Sequence, residues 1–174
     1  EELFLNVEQI IPTQDAEEYM IGMADKAQDE TDSHTELKNR HIVRKQFWSQ
    51  LLSKMNASAS SLFSNISPMT SHYIGAGSGI SRVRFVFVVS KSYGRAELYI
   101  DRAPEENKFI FDRLFGLKSQ IEKDFGGQLT WERLDGKRAC RIKASFDGNV
   151  FDDEQWPTMI ETMTDSMVRL ESAL

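Results

Sequence analysis

Apolar and polar side chains alternate one for one along Arg95-Ala-Glu-Leu-Tyr-Ile-Asp101. Ala96, Leu98 and Ile100 fall on one side of an extended chain, and Arg95, Glu97, Tyr99 and Asp101 on the other. Arg138 to Phe146 repeats the pattern, with Cys140, Ile142, Ala144 and Phe146 opposed to Arg141, Lys143 and Ser145. Two such strands predict a sheet with one face on a core and one free for a partner. A one-residue slip would exchange the faces wholesale. Arg95, Glu97, Tyr99, Arg141 and Lys143 are therefore expected to be far more exposed than Ala96, Leu98, Ile100, Cys140 and Ile142. Were the arginines buried instead, they would need Glu97, Asp101 or Glu132 as partners. The face would then be an internal polar network or a closed pocket, favouring a ligand over a protein partner.

The remaining elements follow from the same patterning. Glu2 to Ile11 reads as a short strand ended by Pro12, residues 13–24 as a short helix around Tyr19, Met20 and Met23, and Asp25 to His34 as an acidic linker. From Thr35 the period is helical, with Leu37, Phe47, Trp48, Leu51, Leu52 and Met55 as its stripe. A short strand is expected near Tyr73–Ala76. Arg82–Val89, rich in β-branched and aromatic residues, reads as a central strand. Pro104 opens one helix carrying Ile110, Leu114, Leu117, Ile121 and Phe125, and Gly126-Gly127 stop it. Leu129–Leu134 and Arg138–Phe146 are expected to pair across Asp135-Gly136 in a type I′ turn. Asp152 or Asp153 caps a last helix in which Pro157 falls in the first turn, with Trp156, Ile160, Met163, Met167, Leu170 and Leu174 as its stripe. That stripe reads as core, and its near-heptad spacing leaves a helix-mediated homodimer open.

The order α-β-β-α-β-β-α, with the extra short strand, predicts an α+β fold: an antiparallel sheet of four to five strands with amphipathic helices on one face. The expected domain division is a linker and upstream remnant over 1–34, then one domain over 35–174.

Charge sharpens that division. Residues 1–36 hold 11 of the chain's 27 acidic residues and one of its 21 basic ones, leaving 16 acidic and 20 basic in the rest. The net −6 thus belongs to the amino-terminal segment, and the body is mildly basic. Nucleic-acid modules usually carry a denser basic patch. A lone Cys140 on the apolar side of a strand predicts an inert thiol and a cytoplasmic setting. No apolar run nears the roughly 18 residues needed to cross a bilayer, so no membrane partner is expected. A chain starting at Glu1 suggests a fragment of a longer protein.

No catalytic motif stands out. Gly75-Ala-Gly-Ser-Gly79 precedes a strand, whereas a dinucleotide fingerprint needs glycines between a strand and a helix; it reads as a turn, with an anion-contacting loop as the alternative. Asp135-Gly136-Lys137 mimics a nuclease D-x-K but sits at a hairpin tip. His34, His41 and His72 lack metal-ligand spacing, so neither metal nor cofactor is expected. The charged face of Arg95, Glu97, Asp101, Arg141 and Lys143 reads either as solvated ion pairs or as a recognition surface with Tyr99 as its aromatic centre.

The Phe47-Trp48 helix, Asn65-Ile-Ser-Pro68, Gly75–Gly79, Glu97-Leu-Tyr-Ile-Asp101, Glu106-Asn-Lys108, Phe125-Gly126, Trp131-Glu-Arg-Leu134 and Arg138-Ala-Cys-Arg-Ile142 together resemble a bacterial and archaeal domain of unknown function, DUF4268. The resemblance covers residues 36–174. It implies a position at the carboxyl end of a protein whose front half is like a restriction endonuclease. It implies no activity of its own, and the carboxylates and lysine of such a front half are not in this chain. The leading expectation is a non-catalytic accessory module, for specificity, assembly or DNA or protein contact. Its partners would be an upstream nuclease-like domain and, through the parent protein, nucleic acid.

A second expectation is a small-ligand or enzyme domain built on the glycine loop, with Gly77, Ser78, Arg133 and Arg138 lining a pocket beside Glu97. A third places Arg82, Arg84, Arg95, Arg141 and Lys143 on DNA phosphates, with binding that weakens with salt and tightens when residues 1–36 are removed.

Overall fold

The computed structural model describes residues 34–174, with side chains from Leu37 onward. Helix α1 (His34–Asn56) leads through a loop to strands β1 (Tyr73–Gly77), β2 (Val83–Val89) and β3 (Tyr93–Ile100). Helices α2 (Pro104–Phe115) and α3 (Lys118–Phe125) follow, then β4 (Thr130–Glu132), β5 (Cys140–Asp147), a 3₁₀ turn (Asp153–Gln155) and α4 (Trp156–Ala173). The fold is α+β. All five strands pair antiparallel in the order β1-β2-β3-β5-β4.

Register sorts the side chains. One face carries Ile74, Ala76, Phe85, Phe87, Ala96, Leu98, Ile100, Cys140 and Ile142. These join Phe47, Trp48, Leu51 and Met55 of α1, Ile121 and Phe125 of α3, and Trp156, Met163, Met167 and Leu170 of α4 in one apolar core. Each large side chain removed from water here contributes about 1.5–3 kcal/mol. The two buried indoles also satisfy their N–H groups: Trp48 donates to the Ser71 carbonyl and Trp156 to that of Val150, both at 2.8 Å. The α4 stripe is core, as its spacing implied. Asp152 caps the preceding 3₁₀ turn by accepting from the Glu154 amide, and Pro157 falls in the first turn of α4.

Four expectations need correction. The helix after Pro104 is two helices, because Gly116 weakens the run by about 1 kcal/mol relative to alanine and Leu117 leaves the helical region at φ −105°. Leu117 is then solvent-facing, and Phe111 rather than Leu117 anchors the first helix. The β4–β5 connection is no type I′ hairpin. Neither Asp135 nor Gly136 has positive φ; Leu134 does, at 52°. Lys108 accounts for that strain: its Nζ donates to the carbonyls of Arg133, Leu134 and Lys137, fixing the loop over 133–139. β2 is interior, but the central strand is β3. His34, read as linker, already lies in α1. The strand, helix and linker expected over residues 2–33 lie outside the described residues.

Candidate functional site

The other face of the same strands is built from rows that cross the sheet. Tyr73, Val88, Arg95 and Ser145 form one row; Gly75, Val86, Glu97, Lys143 and Thr130 the next; Gly77, Arg84, Tyr99, Arg141 and Glu132 the third. Its centre is not exposed. Arg95, Glu97 and Lys143 keep only 7%, 3% and 5% of their surface, and Tyr99 and Arg141 are half-buried. The expected exposure difference therefore fails for the three central charges. Alternation assigns side chains to a face but carries no information about what that face meets.

Burial without partners would cost several kcal/mol per ion, so pairing is required. Arg95 Nε lies 3.0 Å from Glu97 Oε2, close enough for charge attraction though not aligned as a hydrogen bond. Lys143 pairs with Glu132, and Arg141 approaches the same carboxylate at 3.8 Å. Arg95 also lies over the Tyr93 ring and Arg141 over the Tyr99 ring, at 5.2 and 5.6 Å. Burial pushes the Glu97 carboxyl above its ordinary range, against the pull of Arg95, Arg141 and Lys143. Burial and the neighbouring Asp101 likewise raise the Tyr99 phenol. Asp101 moves the other way, because Arg138 donates to it at 2.6 Å with Arg82 and Arg84 near by.

Over β2 this face hollows into a cleft of about 280 Å³. Val86 and Val88 form its floor; they are buried, yet stand apart from the main core. His72 and Tyr73 bound it on the β1 side, and Arg84, Tyr99 and Asp101 at one end, with Arg95 and Arg141 completing the wall. Arg84 is exposed and forms no ion pair among the described residues. The cleft thus sets three guanidiniums, those of Arg95 and Arg141 already beside carboxylates, and the Asp101 carboxylate around apolar and aromatic surface.

The remaining candidates fall elsewhere. Arg138 is exposed and held by Asp101, outside the cleft. Gly77 and Ser78 line a second, apolar cleft of about 310 Å³ on the helix-covered side, with Leu62, Ile80, Ile110 and Leu114. Glu97 is across the sheet from it, and Arg133 is engaged with Asp112 at 2.8 Å. The pocket expected from Gly77, Ser78, Arg133, Arg138 and Glu97 is therefore not assembled. Cys140 is buried, its thiol pushed up by desolvation, and donates to the Arg133 carbonyl. Among the described residues no three His, Cys, Asp or Glu side chains group as metal ligands, and no helix is long and apolar enough to cross a membrane.

Sequence reasoning passed over His72, Tyr73, Val86 and Val88 as site residues. A signal existed: Tyr73, Gly75 and Gly77 share one side of β1, an aromatic followed by two positions with no side chain. Asn107 was also missed. It is fully buried, accepting from the Arg102 amide and donating to the Arg138 carbonyl, both at 2.6 Å, so α2 is tied to the chain entering β5.

No match was found among curated proteins or among solved structures. The profile of the domain of unknown function DUF4268 matches residues 43–174, which contain the whole sheet, both clefts and all but the first turns of α1, and the chain belongs to that family.

Proposed function

We propose that this domain is a non-catalytic accessory module of a larger, nuclease-like prokaryotic protein, and that it contacts nucleic acid through its polar sheet face. The observation that carries the reading is the convergence of Arg84, Arg95 and Arg141 with Tyr73 and Tyr99 in one cleft. Arginine matches phosphate with a planar, bidentate fork, and tyrosine offers area at low entropic cost. Salt titration of the 174-residue chain with labelled DNA tests it. Binding should fall linearly on a log–log plot with salt, by roughly one unit of slope per phosphate engaged, and Arg84→Ala should reduce that slope. Absence of binding at low salt contradicts the reading. Incubation with DNA and Mg²⁺ or Mn²⁺ should leave the DNA intact; metal-dependent cleavage abolished by a point substitution would show an enzyme instead.

A second reading, small-ligand binding beside the glycine loop, is favoured by the apolar cleft at Gly77 and Ser78. An apolar fluorescent probe displaced from the wild type but not from Ile110→Trp would support it.

A further inference from the structure

Resting on the nucleic-acid reading above, we infer that the cleft over β2 is a subsite for one nucleoside phosphate unit with its base unstacked, so the domain prefers single strands to duplex. The floor is apolar, made by the largely buried Val86 and Val88. Beside it, the polar side of β1 presents Tyr73 and then two glycines. Gly75 leaves room for the Val86 side chain at the sheet's edge: a Cβ there would stand 3.2 Å from Val86 Cγ2, tighter than ordinary contact. At Gly77 a Cβ would meet nothing within 4 Å, so the edge beside Arg84 is open.

An aromatic ring entering at Gly75 would meet the edge of Val86 and lie against the exposed Tyr73 ring. Arg84 is two residues further along the same face of β2, about 7 Å away. That separation suits a group attached to the ring through a sugar, and Arg84 is the exposed guanidinium at the end of the floor. A duplex presents phosphates to this face but keeps its bases stacked, leaving the floor and Tyr73 unused. Single strands and free nucleotides offer both parts at once.

The test compares three probes on the full 174-residue chain at low salt: a mixed-sequence DNA single strand, the duplex of the same sequence, and adenosine monophosphate. The single strand should bind about tenfold or more tighter than the duplex, since each stacked base carries roughly that factor. Tyr73→Ala and Gly75→Val should each weaken the single strand about fivefold or more, while Tyr73→Phe retains it. Tyr73 is an exposed edge-strand residue, and thermal melts confirm that the variants fold. Adenosine monophosphate binding that shares the Tyr73 dependence identifies a free nucleotide as the source. Binding of the strand alone identifies a unit within a polymer. Equal affinity for duplex and single strand, with Tyr73→Ala silent, overturns the subsite yet leaves phosphate contact standing. No binding of any probe by the wild type overturns both.

Discussion

The two faces of this one sheet are nearly equally buried at their centres and are built from opposite materials. On one, Phe87, Ala96, Ile100 and Ile142 are sealed by helices, and hydrocarbon transfer supplies the stabilisation. On the other, Arg95, Glu97 and Lys143 sit one strand position away, and their burial costs free energy that ion pairing must offset. Stability is maximised by the first arrangement. The second stands only because its charges are paired, and the cleft lies on that face.

Substitutions that attack each face separately sharpen the contrast. Phe87→Ala should cost the most, about 3–5 kcal/mol, because it leaves a cavity beneath Phe63, whose ring lies 4.8 Å away. Urea denaturation measures it. Lys143→Met should cost about 3 kcal/mol by leaving Glu132 with the more distant Arg141 beside Glu97, and adding Glu132→Gln should recover part of the loss. A neutral outcome for Lys143→Met would mean that the polar centre is already hydrated.

Two carboxylates on this face should respond to pH with opposite signs. Glu97 has its folded pKa raised above the ordinary 4.5 by burial. Its favourable contribution is full below 4.5 and is lost as pH rises through the folded value, so wild type should gain on Glu97→Gln as the solution is acidified. Asp101 is lowered below 3.8 by Arg138. Its contribution is present above that value and lost on acidification, so wild type should lose its advantage over Asp101→Asn. Thermal melts across pH 3–7 for the pair read both signs. The smallest effect is at Arg84, exposed on the polar face. Arg84→Ala should change stability by no more than about 0.5 kcal/mol while weakening anion binding, separating site from scaffold.

Periodicity made most of the fold legible. Strict alternation placed β3 and β5, the helical stripe ending at Met55 placed α1, and Gly126 marked the end of α3 in the left-handed conformation at φ 76°. What failed was decided by partners distant in sequence. The turn at Leu134 depends on Lys108, which lies on another element, and the break at Gly116 was masked by an apolar spacing that runs through it. The site was legible only in its charged members. Arg95, Glu97, Tyr99, Arg141 and Lys143 were visible as one face, but alternation is blind to burial. The cleft over β2 needed the register of β1, which sets Tyr73 and Gly75 beside Val88 and Val86. Valines inside a strand read as core whichever way they point.

On the proposed reading, nucleic acid meets the polar face and not the apolar cleft. Amide chemical-shift mapping of the full chain during titration with the single-stranded oligonucleotide tests it most directly. Shifts should concentrate at Tyr73, Arg84, Val86, Val88 and Tyr99 and spare Leu62, Ile110 and Leu114. Perturbation of Leu62, Ile110 and Leu114 with the polar face silent would contradict the account.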